Sequence, residues 1–188
     1  MYQVIAGRRV GPPQRNDAMI SDLETGPDLV SSKMAIVGIA ADHGGYDLKD
    51  YLARALRESG WTVIDFGAVR MNAFDDYPDF VIPLARALSA GDIQRGIGLC
   101  SSGVGAAVAA NKVAGVRACV IHETFSAKQG VEDDDLNMMC MGGLIVGRGL
   151  AWESVRAFLT ARFQNLERHN RRLAKVSALE RTVINDLL

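Results

Sequence analysis

The chain has 188 residues, a formal net charge of −1, 48% hydrophobic and 23% charged residues. That length suits one domain with a full-sized core. The composition excludes a disordered or fibrous chain, and the near-neutral charge gives no general affinity for nucleic acid or anionic lipid. Any anion-binding site must therefore be local. The three cysteines, Cys100, Cys119 and Cys140, lack metal-ligand spacing, and Cys119 and Cys140 lie in apolar runs that make them expected core residues. No apolar run reaches the roughly eighteen residues of a membrane span, and no signal-peptide core opens the sequence. These features favour a reduced, cytoplasmic enzyme or binding protein.

Residues 1–33 are rich in Gly, Pro, Asp and Ser and hold neither a strand nor a helix period. They read as an N-terminal extension, with 34–188 as a single domain. Residues 35–41, AIVGIAA, form an unalternated apolar run, the mark of a strand buried on both faces. Asp42-His43-Gly44-Gly45 breaks it, and Leu48, Leu52, Ala55 and Leu56 recur at helical spacing up to Ser59-Gly60. A second strand is expected over 61–66 and a loop over 67–76. Asp76-Tyr77-Pro78 reads as a helix start, continued by Val81, Leu84, Ala85 and Leu88. Pro83 is expected to kink that helix or delay its start.

Residues 93–100 are a third strand, 103–112 a third helix and 116–121 a fourth strand. A polar helix or loop over 123–135 precedes a fifth strand within 137–146. Gly147-Arg148-Gly149 leads into a helix carrying Val155, Phe158 and Leu159. A last helix, set off by the polar residues 164–170, carries Leu173, Val176, Leu179 and Val183. Strand and helix alternate with short connections. That predicts an α/β fold, a three-layer Rossmann-like parallel sheet of about five strands with helices on both faces and sites at the C-terminal strand ends. The isolated last helix is of the kind that reaches across to a second subunit.

Residues 96–111, GIGLCSSGVGAAVAAN, combine a buried strand, a small-residue turn and an alanine-rich helix. Cys100 sits at the mouth of the turn, where backbone amides and a helix start can stabilise a thiolate or an oxyanion. A thiolate beside fixed donors suits removal of a proton next to a carbonyl, because the enediolate formed needs those donors. Asp42-His43 and His122-Glu123 end two other strands, so they are placed to converge with Cys100-Ser101-Ser102. Arg168 and Arg172, four apart, share one helix face and could grip a phosphate. A dinucleotide fingerprint competes, with Gly103-Val104-Gly105 as its glycines and Glu123 as its ribose-binding acid, but Val108 fills its third small position.

Over residues 34–180 the sequence resembles the ribose-5-phosphate isomerase B/galactose-6-phosphate isomerase (ribose/galactose isomerase) family. The carriers are AADHGG at 40–45, DYPDF at 76–80, CSSGVGAAVAANKVAGVRA at 100–118, LNMMCMGG at 136–143 and RHNRR at 168–172. The resemblance implies an aldose–ketose isomerase of a pentose, tetrose or hexose phosphate, without cofactor or metal, built as a homodimer or tetramer with the C-terminal helix exchanged between subunits. It assigns Cys100 as the base that moves a proton between C1 and C2 through a cis-enediolate. Ser101, Gly103, Val104 and Gly105 form the anion hole, and Ser102 serves ring opening or proton relay. Asp42 contacts the sugar, His43 the phosphate side, and Arg168 and Arg172 the phosphate from the partner subunit.

Two positions depart from the family pattern. Asp133 and Asp134 stand where the family carries a His-Asn pair that helps open the sugar ring, and they are expected to face sugar hydroxyls instead. Leu144 stands where many members carry a phosphate-binding arginine, which Arg70, Arg8 or Arg9 would have to replace. These departures point to a substrate needing little ring opening, such as a tetrose 4-phosphate, or to His122 as the substitute acid. The alternative is a non-catalytic sugar-phosphate-binding protein of the same fold.

Overall fold

The computed structural model describes residues 36–185, so the extension expected at 1–33 lies outside the described residues. The two unalternated apolar runs form adjacent central strands, β1 (Ile36–Ala41) and β3 (Arg95–Cys100), with β2 (Thr62–Asp65) outside β1. β5 (Met138–Gly142) lies on the other side of β3, and β4 (Ala118–Val120) closes the far edge. All pairs are parallel, in the order β2-β1-β3-β5-β4. Strand order reverses between β1 and β3. In a doubly wound sheet the crevice at the C-terminal ends of that strand pair is where ligands bind.

Helices α1 (Tyr46–Glu58), α4 (Thr124–Asp134) and α5 (Arg148–Thr160) cover one face, burying Leu48, Leu52, Leu56, Val131, Val155 and Phe158. Helices α2 (Tyr77–Ala90) and α3 (Val104–Ala110) cover the other with Val81, Leu84, Leu88, Ala106 and Ala110. Each large side chain removed from water in this way contributes about 1.5–3 kcal/mol. The five-strand parallel sheet between two helical layers is thus the architecture that the strand–helix alternation predicts.

Two local expectations need correction, and one open alternative is decided. Cys119 is exposed, whereas Cys140 is buried, because β4 is a three-residue edge strand and Cys119 points away from the layer that covers Val120. Pro83 does not delay α2, which starts at Tyr77 and runs through it. Pro83 lies on the exposed side of the helix, where the carbonyl it strips of a partner is left to water. The polar stretch after β4 is a helix, because the Glu123 carboxylate caps it by accepting from the Phe125 and Ser126 amides.

The final helix, α6 (Glu167–Asn185), begins where α4 ends. Gln164 N–H donates to the Glu132 carbonyl at 3.0 Å, and Glu180 accepts from Gly115 N–H at 3.1 Å. Since α4 runs back from the C-terminal end of β4 to the N-terminal end of β5, α6 is anchored at the sheet edge opposite to the C-terminal strand ends. Val176 and Leu179 on it are 55% and 69% exposed.

Candidate active site

Cys100 is the last residue of β3 and is 6% exposed. Its Sγ accepts from the Gly103 amide at 3.1 Å. That amide points back at the thiol because Gly103 adopts φ +81°, a left-handed backbone that glycine alone takes without strain. The turn is held from β5: Gly143 N–H donates to the Cys100 carbonyl at 2.8 Å and Leu144 N–H to the Ser101 carbonyl at 3.1 Å. A side chain at Gly44 would strike Ser101 Oγ, and one at Gly143 would strike the Gly44 carbonyl. Three loops, from β1, β3 and β5, therefore pack backbone against backbone around the thiol. Ser102 Oγ accepts from Val104 N–H at 3.3 Å, and the Tyr77 ring lies against Gly105.

On the β1 side, Asp42 is 5% exposed. Burial is the main cause that raises its carboxyl above the ordinary aspartate value, opposed by the hydrogen bond Oδ1 accepts from Gly44 N–H. His43 bonds to a residue absent from every candidate set, Asp75. Asp75 Oδ1 accepts from the His43 backbone N–H at 2.9 Å and pairs with its Nδ1 at 2.8 Å. That side-chain bond is the main cause raising His43 above its ordinary value. The Asp75 side chain is only 9% exposed, and its Oδ2 is buried without a hydrogen-bond partner among the described residues, a cost of about 1–3 kcal/mol that a surface loop has no structural need to carry. The nearest sequence signal was the Asp75-Asp76 pair before the helix start, which says nothing of a partner 32 positions away. Ligand atoms of Asp42, His43 and Asp75 lie within 4.8 Å of one another. Two of them are bonded to each other, so the group is a hydrogen-bond network and not a converging ligand set.

His122 follows β4, and its Nε2 accepts from Gly142 N–H at 2.9 Å, so Nε2 carries no proton and the ring locks the ends of β4 and β5 together. Glu123 caps α4, which removes it from any ribose-binding role. Cys140 is fully buried, and burial pushes its thiol far up. Cys100 is therefore the cysteine of the strand-end crevice. Leu144 is 77% exposed, so the position that would hold an arginine presents an apolar side chain beside the turn.

The remaining predicted residues gather at the opposite sheet edge. Asp133 accepts from Gln129 Nε2 at 2.7 Å and lies 3.6 Å from His169 Nε2. Arg168 Nε–H donates to His169 Nε2 at 2.8 Å, and His169 Nδ1 then faces the Glu132 carbonyl at 3.3 Å. His169 is fully buried, whereas Asp134, Arg168 and Arg172 are exposed. Within one chain these residues and Cys100 occupy opposite ends of the sheet. Arg70 is exposed in the β2–α2 loop, and Arg8 and Arg9 lie outside the described residues.

A cysteine at a strand end, an inward-turned amide and a buried acid beside a histidine whose pKa is raised thus meet at the C-terminal strand ends. The family model for ribose/galactose isomerase matches residues 37–176. The chain belongs to the ribose/galactose isomerase family. With it goes membership of the aldose–ketose isomerases. Ribose-5-phosphate isomerase B of Escherichia coli K12 is 36% identical over 147 residues, covering 78% of this chain and 97% of the relative. D-erythrulose-4-phosphate isomerase of Pectobacterium atrosepticum is 36% identical over 131 residues, 70% of this chain and 86% of the relative. Among solved structures, ribose-5-phosphate isomerase B of Clostridium thermocellum superposes with a TM-score of 0.76 at 40% identity, covering 79% of this chain and 99% of that one.

Proposed function

We propose that this chain isomerises a phosphorylated sugar between aldose and ketose forms, with Cys100 as the base. The thiolate takes the proton from C2 of the aldose and the electron pair moves onto the C1 oxygen. The resulting cis-enediolate takes the proton back at C1 from the Cys100 thiol while the O2 hydroxyl proton passes to O1, giving the ketose. Ser101, Gly103, Val104 and Gly105 line the turn that receives the enediolate oxygen, Ser102 relays protons, Asp42 contacts sugar hydroxyls and His43 meets the phosphate. One observation carries this reading: Cys100 Sγ, buried at the strand-order reversal, already accepts the Gly103 amide.

Arg168 and Arg172 lie at the far sheet edge, so they serve this crevice only from a second copy. A homodimer in which each α6 leans over the partner's crevice satisfies that geometry. It also covers the exposed Val104, Val108, Leu144 and Ile145 beside the turn and Val176 and Leu179 on α6. Asp133 and Asp134 would arrive on the same side as the arginines. Where a ring-opening histidine would act, Asp133 offers a carboxylate held by Gln129. An acyclic substrate needs no such histidine. A tetrose 4-phosphate fits, since its O4 is esterified and cannot close a furanose. The test is turnover on erythrulose 4-phosphate, ribose 5-phosphate and allose 6-phosphate side by side. Preference for the tetrose supports the acyclic substrate, preference for ribose 5-phosphate rejects it, and binding without turnover on all three favours a non-catalytic sugar-phosphate binder.

A further inference from the structure

We propose that Asp75 is the positioning residue of the phosphate contact: by accepting from His43 Nδ1–H, it orients the ring and balances its positive charge, so that Nε2–H of the imidazolium faces the anionic end of the substrate. This rests on the isomerase reading and deepens it. Asp75 lies in the β2–α2 loop and His43 in the β1–α1 loop. A single oxygen, Asp75 Oδ1, receives both the backbone and the ring nitrogen of His43, at 2.9 and 2.8 Å. With Nδ1–H given to Asp75, Nε2–H is the donor that the imidazolium has left for a ligand, and the side chain is 38% exposed.

Asp75 is buried to about nine-tenths on its side-chain surface, with Oδ2 lacking a hydrogen-bond partner among the described residues. A neutral amide would satisfy the same two donors through its carbonyl without burying a charge. The carboxylate adds a negative charge beside the imidazole, which favours the cationic ring. Among the described residues the charged groups acting on His43 are Asp75 across the loop and Asp42 next to it in the chain, and both raise its pKa. A group raised in this way stays cationic below its ordinary value and loses the proton only as pH climbs through the raised one. Charge-assisted binding of a phosphate dianion is thereby kept at pH values where a free histidine is mostly neutral.

The experiment titrates the ring resonances of the three histidines by NMR in the full-length wild type, Asp75→Asn and Asp75→Ala, with and without inorganic phosphate. Steady-state kinetics across the same pH range accompany it. The expected result is a His43 midpoint that falls towards the ordinary value in Asp75→Asn, with phosphate perturbing the wild-type His43 ring. KM should rise about tenfold on the alkaline side, the loss of one charge-assisted bond, while kcat stays within about twofold. Lowering the pH below the new midpoint should restore KM in Asp75→Asn but not in Asp75→Ala. An unchanged His43 titration in Asp75→Asn, or a wild-type His43 ring insensitive to phosphate, overturns the assignment. So does a pH-independent loss of kcat and kcat/KM together. The NMR arm needs no turnover. A wild type that binds phosphate through His43 but isomerises no phosphosugar refutes the isomerase reading while leaving the Asp75–His43 coupling measured.

Discussion

Replacing Gly103 by Ala tests whether the backbone of the β3 turn is what presents an amide to Cys100. Two costs add at this position. The residue holds φ +81°, and an L side chain in the left-handed region costs about 1–2 kcal/mol. A Cβ there would also lie 2.8 Å from the Met141 carbonyl carbon, 3.0 Å from its nitrogen and 3.1 Å from its Cα. All three are backbone atoms of β5, so nothing flexible can yield, and overpacking of this kind costs about 1–3 kcal/mol. The total is about 2–5 kcal/mol, a large part of a typical stability of about 5–15 kcal/mol. Gly60 and Gly91 provide the control, since their φ values are +87° and +82° but no described residue lies within 4 Å of an added Cβ.

Gly60→Ala and Gly91→Ala should therefore lose only the backbone part, about 1–2 kcal/mol. Urea denaturation at fixed protomer concentration separates the terms, the concentration being held because association shifts apparent stability. The turn must move away from Met141 to relieve the contact, which drags the Gly103 amide off Sγ. A loss of about 10–100-fold in kcat should accompany the loss of stability, the worth of one hydrogen bond to a charged group. If Gly103→Ala costs no more than Gly91→Ala, or keeps full kcat, the turn is not the rigid device described above.

Lys49 is 2% exposed and donates to Asp65 Oδ2 at 2.7 Å and to the Ala68 carbonyl at 3.0 Å. Asp65→Ala leaves that buried cation only the Ala68 carbonyl and the more distant Asp50 Oδ1 at 3.8 Å and should cost about 3–5 kcal/mol, whereas Lys49→Met removes the charge itself and should cost less than about 2 kcal/mol; the reverse order in urea melts contradicts the pairing. Glu123 is held below the ordinary glutamate value by hydrogen bonds from Ser126, then from Phe125. A depressed folded pKa contributes stability above the unfolded value and loses it as pH falls through the folded one. Glu123→Gln should thus be less stable than wild type at pH 7, with the two melting curves converging below the ordinary glutamate pKa. A gap that persists in acid would show that the cap's charge is irrelevant.

The fold was legible because its signals are local. The run IVGIAA and the run ending at Cys100 carry no polar alternation, and a strand without alternation must be covered on both faces. Leu48, Leu52 and Leu56 repeat at one helical face. Cys119 misled because an apolar neighbourhood in sequence is the same for a central and an edge strand; sheet order decides between them. A start delayed by Pro83 was the wrong alternative because local rules ignore which side of a helix meets water.

Within the site, Cys100, Ser101, Ser102, Asp42 and His43 were readable as strand ends of one sheet. Asp75 was not, since its bond to His43 joins two loops across the β1–β2 unit. His122 read as a candidate acid, yet its Nε2 is taken by the Gly142 amide. Nor could sequence spacing show that Arg168, Arg172, Asp133 and Asp134 lie at the far edge. That follows from the direction of α4, which carries the chain back across the sheet.

Hydrogen exchange at the substrate carbon bears most directly on Cys100 as base. Wild type and Cys100→Ala would be incubated in D2O with the preferred phosphosugar, and deuterium at C1 and C2 followed by NMR while affinity is measured by calorimetry. Wild type should incorporate deuterium during turnover. The variant should lose exchange by about 10²–10⁴-fold while binding the sugar within a few-fold of wild type. A Cys100→Ala protein that still exchanges the C2 proton at the wild-type rate would mean that another group is the base.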